Sequence, residues 1–266
     1  MAASKFLAVA CLANLAASRL VRSDRPPMGW NSYNSWNCQP SEERIKGSTE
    51  GLISMGLDKL GYDFITVDCG WNSKYRDSEG RMQWNTTLFP SGGKALGDYI
   101  HERGLSFGLY SGAGYLQCGS TELPASLGFE KKDAESFAEW GGDSLKYVYP
   151  RLIRAYLLLI MPRYDNCYAT SNTTMVDSSS AESQSPARFQ HMGAELDAVD
   201  RDIEYYICQW GIGVDVGKWA SEIGTTWRMS NDIYNAWRSV WRITNQIVPY
   251  FRHTKVGAFA DMDMLM

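Results

Sequence analysis

The 266-residue chain is short of the groups on which several enzyme classes depend. Histidine occurs three times, at His101, His191 and His253, in separate helical segments without ligand spacing, and no CxxC pair occurs. Metal catalysis is therefore not expected. A GxSxG elbow, the usual seat of a serine nucleophile, is missing. Gly211, Gly213 and Gly217 miss the dinucleotide GxGxxG spacing by one residue and lie far from the first βα unit, so no nucleotide cofactor is expected. Positive charge is not in excess: 26 Lys and Arg face 30 Asp and Glu, which argues against a nucleic-acid partner. No apolar run reaches the roughly 20 residues of a membrane span.

What is present points elsewhere. Hydrophobic residues make up 44% of the chain, enough for a large core, and aromatics reach 13%, with ten Trp and fifteen Tyr. Flat rings of this kind also suit the apolar face of a sugar. Residues 1–18 combine a short positive start, the apolar stretch Phe6–Ala17 and small residues at Ala16–Ser18. That pattern reads as a secretory signal, with a buried N-terminal helix as the plainer alternative. Its removal leaves five cysteines, so one thiol is left over in an oxidising compartment. Asn85 and Asn172 begin glycosylation triplets, consistent with secretion.

After residue 25, strand-like and helix-like segments alternate. The predicted strands are the "PPMGWNSY" segment, 62–68, 105–111, 143–147, 203–210, 225–232 and 256–264. The helices between them cover 41–60, 94–103, 133–140, 186–202, 218–223 and 233–253. Regular alternation implies parallel strands joined by right-handed crossovers. A doubly wound sheet and a (β/α)8 TIM barrel both meet this description. Asp68, Tyr110, Lys146, Asp165, Gln209, Arg228, Asp232 and Asp263 fall at the predicted C-terminal strand ends, which converge on one hollow only in a barrel. The α/β reading is therefore a barrel of about seven βα units. Paired carboxylates at such tips suit glycoside hydrolysis, and suit caps or ion pairs equally.

The segments "RPPMGWNSYNSWNC", "TVDCGW", "FGLYSGAG", "YDNCY", "WRMSNDI" and "DMDML" together resemble the α-galactosidase (melibiase) family of retaining glycosidases, glycoside hydrolase family 27, in its fungal secreted branch. The resemblance runs from Arg25 to Met266. It implies that Asp165 is the nucleophile and Asp232 the general acid/base. It implies sugar contacts from Trp30, Asp68, Tyr110, Lys146, Arg228, Asp263 and Met264, with Gln209 standing where many relatives have Glu. Disulfides Cys38–Cys69 and Cys118–Cys167 follow from the same match, although the cysteine of "DCGW" is shifted by one residue from the commoner "DDCW". Cys208 has no visible partner, since the matching position is Gly224. The implied substrates are α-galactosyl oligosaccharides, cleaved with retention and without cofactor, and α-N-acetylgalactosamine is the sister specificity.

Two departures qualify this. In the family "SLKYDNC" is continuous, whereas here residues 148–164, or equivalently 147–163, separate Lys146 and Tyr147 from Asp165. Three readings arise for that run. A membrane span fails on length and on Pro150, Arg151 and Arg154. "AYLLLIMPRYD" as the true fourth strand meets the objection that Pro162 removes a ladder donor. The favoured reading is a segment foreign to the fold. The resemblance also implies a further βα unit and a C-terminal β-sandwich domain, so the barrel is expected to be incomplete. An inactive fragment or weak galactose binder is the rival function.

Overall fold

The computed structural model describes residues 23–118, 120–148, 165–166, 176–177, 185–211 and 215–264. The expected signal at 1–18, nearly all of the 148–164 run, Cys167 and Asn172 lie outside the described residues.

Seven strands form one parallel sheet. In chain order they are β1 (Gly29–Asn31), β2 (Phe64–Thr66), β3 (Ser106–Gly112) and β4 (Ser144–Val148). After the two-residue strands β5 (Asp165–Asn166) and β6 (Val176–Asp177), the sheet continues with β7 (Glu204–Cys208), β8 (Thr226–Arg228) and β9 (Phe259–Asp261). The spatial order is β1-β2-β3-β4-β7-β8-β9, each strand beside its successor in the chain, while β5 and β6 pair only with each other, antiparallel. A doubly wound sheet reverses its order partway. This one never does, which is the winding of a (β/α) barrel wall.

Two expectations are corrected here. The fourth strand of the sheet is Ser144–Val148, paired with β3 and β7, so the "AYLLLIMPRYD" reading fails. Asp165 does not stand at the tip of a sheet strand; its backbone belongs to the separate β5–β6 ladder, with Asp165 opposite Asp177.

The crossovers carry α2 (Glu42–Ser54), α3 (Gly92–His101), α4 (Glu130–Glu139), α5 (Ser185–Ala198), α6 (Val216–Ile223) and α7 (Trp237–Ile247); a single turn, α1 (Tyr33–Trp36), follows β1. Local chemistry explains their limits. Ser41 caps α2 by accepting from the Arg44 amide, Glu42 and Glu43 sit in its positive first turn, and Gly56 ends it with φ +71°. The helix predicted over 41–60 therefore stops six residues early. In α3, a Cβ on Gly97 would lie 2.6 Å from the Trp140 carbonyl and 2.9 Å from the Phe107 ring, so glycine lets the helix close on β3. Beneath the crossovers an aromatic cluster forms, with Trp71 and Trp84 at 4.5 Å between ring centroids and Trp140 edge-on to both. These rings belong to a continuous core that includes Ile65, Leu109, Leu145, Tyr205 and Trp227.

Candidate active site

The site is assembled at the C-terminal ends of the strands, starting from the β1 tip. There Asn31 donates through Nδ2 to Asp68 Oδ2 at 2.9 Å, and the Ser32 hydroxyl accepts from the Asp68 amide at 2.9 Å. Asp68, two residues past β2, also accepts from the Cys69 amide and is 2% exposed. The chain then turns sharply at Gly70, with φ +88°; a Cβ there would meet the Cys38 carbonyl at 2.2 Å. This turn lets Cys69, despite its one-residue shift, join Cys38 in a disulfide.

β3 and β4 supply the next wall. Their register places Tyr110 opposite Lys146, and Lys146 Nζ reaches Asp68 Oδ2 at 2.6 Å. Burial works against the charge on Lys146, but the Asp68 carboxylate, with Asp263, more than reverses this, and the lysine is held above its ordinary pKa. The lysine is thus charged across the whole ordinary pH range.

The opposite wall is built around Arg228 at the end of β8. Its Nη2 contacts Asp232 Oδ1 at 3.0 Å and Asp263 Oδ2 at 3.1 Å, and donates to the Ser230 carbonyl at 3.1 Å. Burial opposes this cation too, and the surrounding negative groups hold it charged. Asp263, two residues past β9 with φ +82°, accepts from the Ile233 amide at 2.7 Å and from the Met264 amide at 2.8 Å. Burial raises the Asp263 pKa, with Arg228 pulling it back. Asp232 remains the most open of the three, its side chain 32% exposed.

Between these walls lies a hollow of about 570 Å³, measured out to its open mouth. Of the predicted site residues, Asp68, Tyr110, Lys146, Arg228, Asp232, Asp263 and Met264 line it together. Two are placed elsewhere. Trp30 is half-buried and packs against the main core, and Gln209 is fully buried with Oε1 accepting from the Gly211 amide, a turn-holding bond. The side chain of Asp165 lies outside the described residues, as does Cys167, the expected partner of Cys118. Asn85 is described: it is half-buried, and its Oδ1 accepts from the Thr87 amide at 3.0 Å within a turn.

Several lining residues carried no signal in the residue types alone. Tyr33, Val148, Cys208 and Trp210 all border the hollow. Their signal is positional, since each stands at or just beyond a strand tip. The Cys208 thiol receives a 3.4 Å contact from Arg228 Nη1, and burial pushes its pKa up to about 11, against the pull of Arg228 and Lys146. It is a neutral, poorly nucleophilic thiol. Among the described residues, no cluster of three or more His, Cys, Asp or Glu side chains is arranged for a metal, and no helix is long and apolar enough to cross a membrane.

Comparison with known proteins fits this geometry. The family described as alpha galactosidase A (Melibiase_2) matches residues 25–266. Alpha-galactosidase D of Emericella nidulans is 42% identical over 243 residues, which are 91% of this chain and 34% of that protein. The chain thus spans about a third of the length of the curated relatives it matches. Among solved structures, alpha-galactosidase I of Mortierella vinacea superposes with a TM-score of 0.76 at 32% identity, covering 94% of this chain and 61% of that one. The Saccharomyces cerevisiae alpha-galactosidase with raffinose gives 0.75 at 29% identity, covering 90% and 52%.

Proposed function

Because the chain belongs to the alpha galactosidase A (melibiase) family, we propose that its strand-end hollow receives the terminal non-reducing α-D-galactosyl group of an oligosaccharide and hydrolyses it with retention. The observation that carries this is the convergence of Asp68–Lys146 and of Arg228 with Asp232 and Asp263 on one hollow. Hydroxyl groups of a pyranose need fixed charged donors and acceptors on several sides, and these residues supply both. Asp232, at the open side, is placed to give its proton to the leaving oxygen and later to take one from water. In this reading the nucleophile is Asp165, and Tyr110 and Met264 complete the sugar contacts. No cofactor enters the reaction. The chain acts outside the cell, carried there by residues 1–18 and glycosylated at Asn85 and Asn172.

The test is incubation with an aryl α-galactoside and an aryl α-N-acetylgalactosaminide, with the anomer of the first-formed sugar read by NMR. Release of α-galactose from the first substrate alone supports the proposal. β-Galactose as the first product, or exclusive release from the second substrate, rejects it.

A second reading is favoured by one observation, the β5–β6 ladder that holds the Asp165 backbone apart from β4. In this reading the pocket binds galactose and does not cleave its glycosides. Galactose quenching or enhancing Trp fluorescence without turnover selects it.

A further inference from the structure

Asp232, the group placed to protonate the leaving oxygen, stands in irregular chain between the end of β8 at Arg228 and the start of α7 at Trp237. No ladder or helical turn satisfies the backbone there, so other bonds must hold the segment in place. Two come from the pocket itself. Arg228 Nη2 donates to the Ser230 carbonyl, and Asp263 accepts from the Ile233 amide. These grips fall on either side of Asp232 and leave its own carbonyl to another group.

That group reaches in from behind, on α7. Ser239, Ile243 and Ile247 bury one face of this helix, which makes it a fixed base. Ser239 Oγ also accepts from the Tyr234 amide at 3.2 Å. Arg242 and Gln246 are four residues apart and so share a second face. Arg242 Nη1 donates to the Asn231 amide oxygen and lies 3.1 Å from the Ser230 hydroxyl and 3.2 Å from Gln246 Oε1. The Ser230 hydroxyl donates in turn to Gln246 Oε1 at 2.5 Å. Arg242 Nη2 meets the Asp232 carbonyl oxygen at 3.4 Å. One guanidinium thus spans three consecutive residues, 230 to 232, a reach suited to the flat, forked head of arginine. Neither Arg242 nor Gln246 borders the hollow. Their bonds end on the loop that carries the acid.

We propose that Arg242, braced by Gln246, is a positioning residue that fixes the Asp232 loop and so aims its carboxyl at the leaving oxygen. This rests on the galactoside reading of the hollow. Misplacement by 1 Å costs about 10²-fold in rate. Without Arg242 the sugar hydroxyls still meet Asp68, Lys146, Arg228 and Asp263, so galactose binding is kept while proton delivery fails. The defect must then depend on the leaving group. A 2,4-dinitrophenolate departs with the bonding pair and needs no proton, whereas methoxide has to take the proton of Asp232 as the C–O bond breaks. The ratio kcat/KM reports the steps up to that cleavage. The later attack of water, which also uses Asp232, does not enter it.

The experiment measures kcat/KM of the full chain, Arg242→Met and Gln246→Ala on methyl α-galactoside and on 2,4-dinitrophenyl α-galactoside, beside galactose affinity by Trp fluorescence and Tm. Arg242→Met should lose about 10- to 100-fold on the methyl substrate and less than about threefold on the dinitrophenyl one. Galactose affinity should stay within about twofold, as expected when only an interaction of the transition state is lost. Gln246→Ala should show the same pattern at smaller size, and it carries the test should Arg242→Met not fold. Equal losses on the two substrates, or a loss confined to galactose affinity, would make Arg242 a scaffold residue and overturn the proposal. Unchanged turnover of both folded variants overturns it as well. A wild type that binds galactose and cleaves neither substrate rejects the hydrolytic reading itself, and the role of Arg242 falls with it.

Discussion

Two buried ion pairs, Arg76–Asp133 and Lys146–Asp68, look alike by burial and differ in what their donors have left to do. Asp133, in the first turn of α4, is fully buried, and Arg76 grips both of its oxygens at 2.6 and 2.8 Å. The same guanidinium donates to the carbonyls of Gly80 and Ala125 and lies 4.1 Å over the Phe129 ring. Its capacity is spent on the protein. Lys146 gives one bond to Asp68 and keeps the rest of its ammonium, 14% exposed as a side chain, toward the hollow. A scaffold pair is saturated from within, whereas a site pair holds donors in reserve for a ligand.

The largest expected effect tests the saturated pair. Arg76→Met leaves the Asp133 carboxylate buried without its cation, which should cost about 3–5 kcal/mol of stability in urea denaturation. Galactose affinity of the folded fraction should not move. A large affinity change would show that the two pairs are coupled and the contrast false. Next comes the covalent tie on the pocket side. Cys38→Ser opens the disulfide that closes a separation of 31 residues, with an expected loss of about 2–4 kcal/mol. Because Cys38 and Cys69 line the hollow, affinity should fall too, unlike in Arg76→Met.

The third effect is the mirror of the first. Lys146→Met should cost the fold less, about 1–2 kcal/mol, because Asp68 keeps its bonds from Asn31 and the Cys69 amide and faces a hollow that water reaches. Galactose binding should weaken roughly 10- to 100-fold, the scale of one hydrogen bond to a charged group. Stability loss without affinity loss would make Lys146 another scaffold cation.

Much of this was legible in the residues, and the failures have physical causes. All seven sheet strands overlap the predicted windows, with β3 and β4 each running one residue past theirs, because βα alternation is written in hydrophobic period. Boundaries were less visible. The strand predicted over 225–232 ends at Arg228, whose guanidinium bonds the Ser230 carbonyl and Asp232 and curls the following loop back over the tip. The helix predicted over 233–253 begins at Trp237 and finishes as a 3-10 segment from Val248 to His253 that contains Pro249, which has no amide to donate. At the site, strand-tip position found Asp68, Lys146, Arg228 and Asp263, since charged groups at converging tips have nowhere else to point. It could not place Trp30 or Gln209, because which face a tip residue presents depends on pleat and register. The neighbour of Cys208 was invisible for a related reason: among the described residues it is the guanidinium of Arg228, twenty residues away.

The smallest effect separates scaffold from pocket by pH. Glu130 and Asp133 in the first turn of α4, like Asp263 at the pocket, have pKa values raised by burial. A raised carboxyl holds its proton in the fold at a pH where the unfolded chain, near 4, has released it. The unfolded state then binds fewer protons, so this stability is present below about pH 4 and is lost as pH rises through the folded value. Glu42 acts in the opposite sense: although burial alone would raise it, its bonds to Lys46 and Ser91 lower its pKa, and its contribution is lost on acidification. The raised groups outnumber the lowered ones, Glu42 and Glu50, so Tm should decline as pH rises above about 4. Glu130→Gln should flatten that decline without altering galactose affinity, because Glu130 accepts from the Gly128 amide and faces His191, away from the hollow. Asp263→Asn should flatten it as well, but with weakened galactose binding, since the change also strips Arg228 of a counterion. Equal effects of the two substitutions on affinity would erase the distinction between the saturated interior and the poised rim.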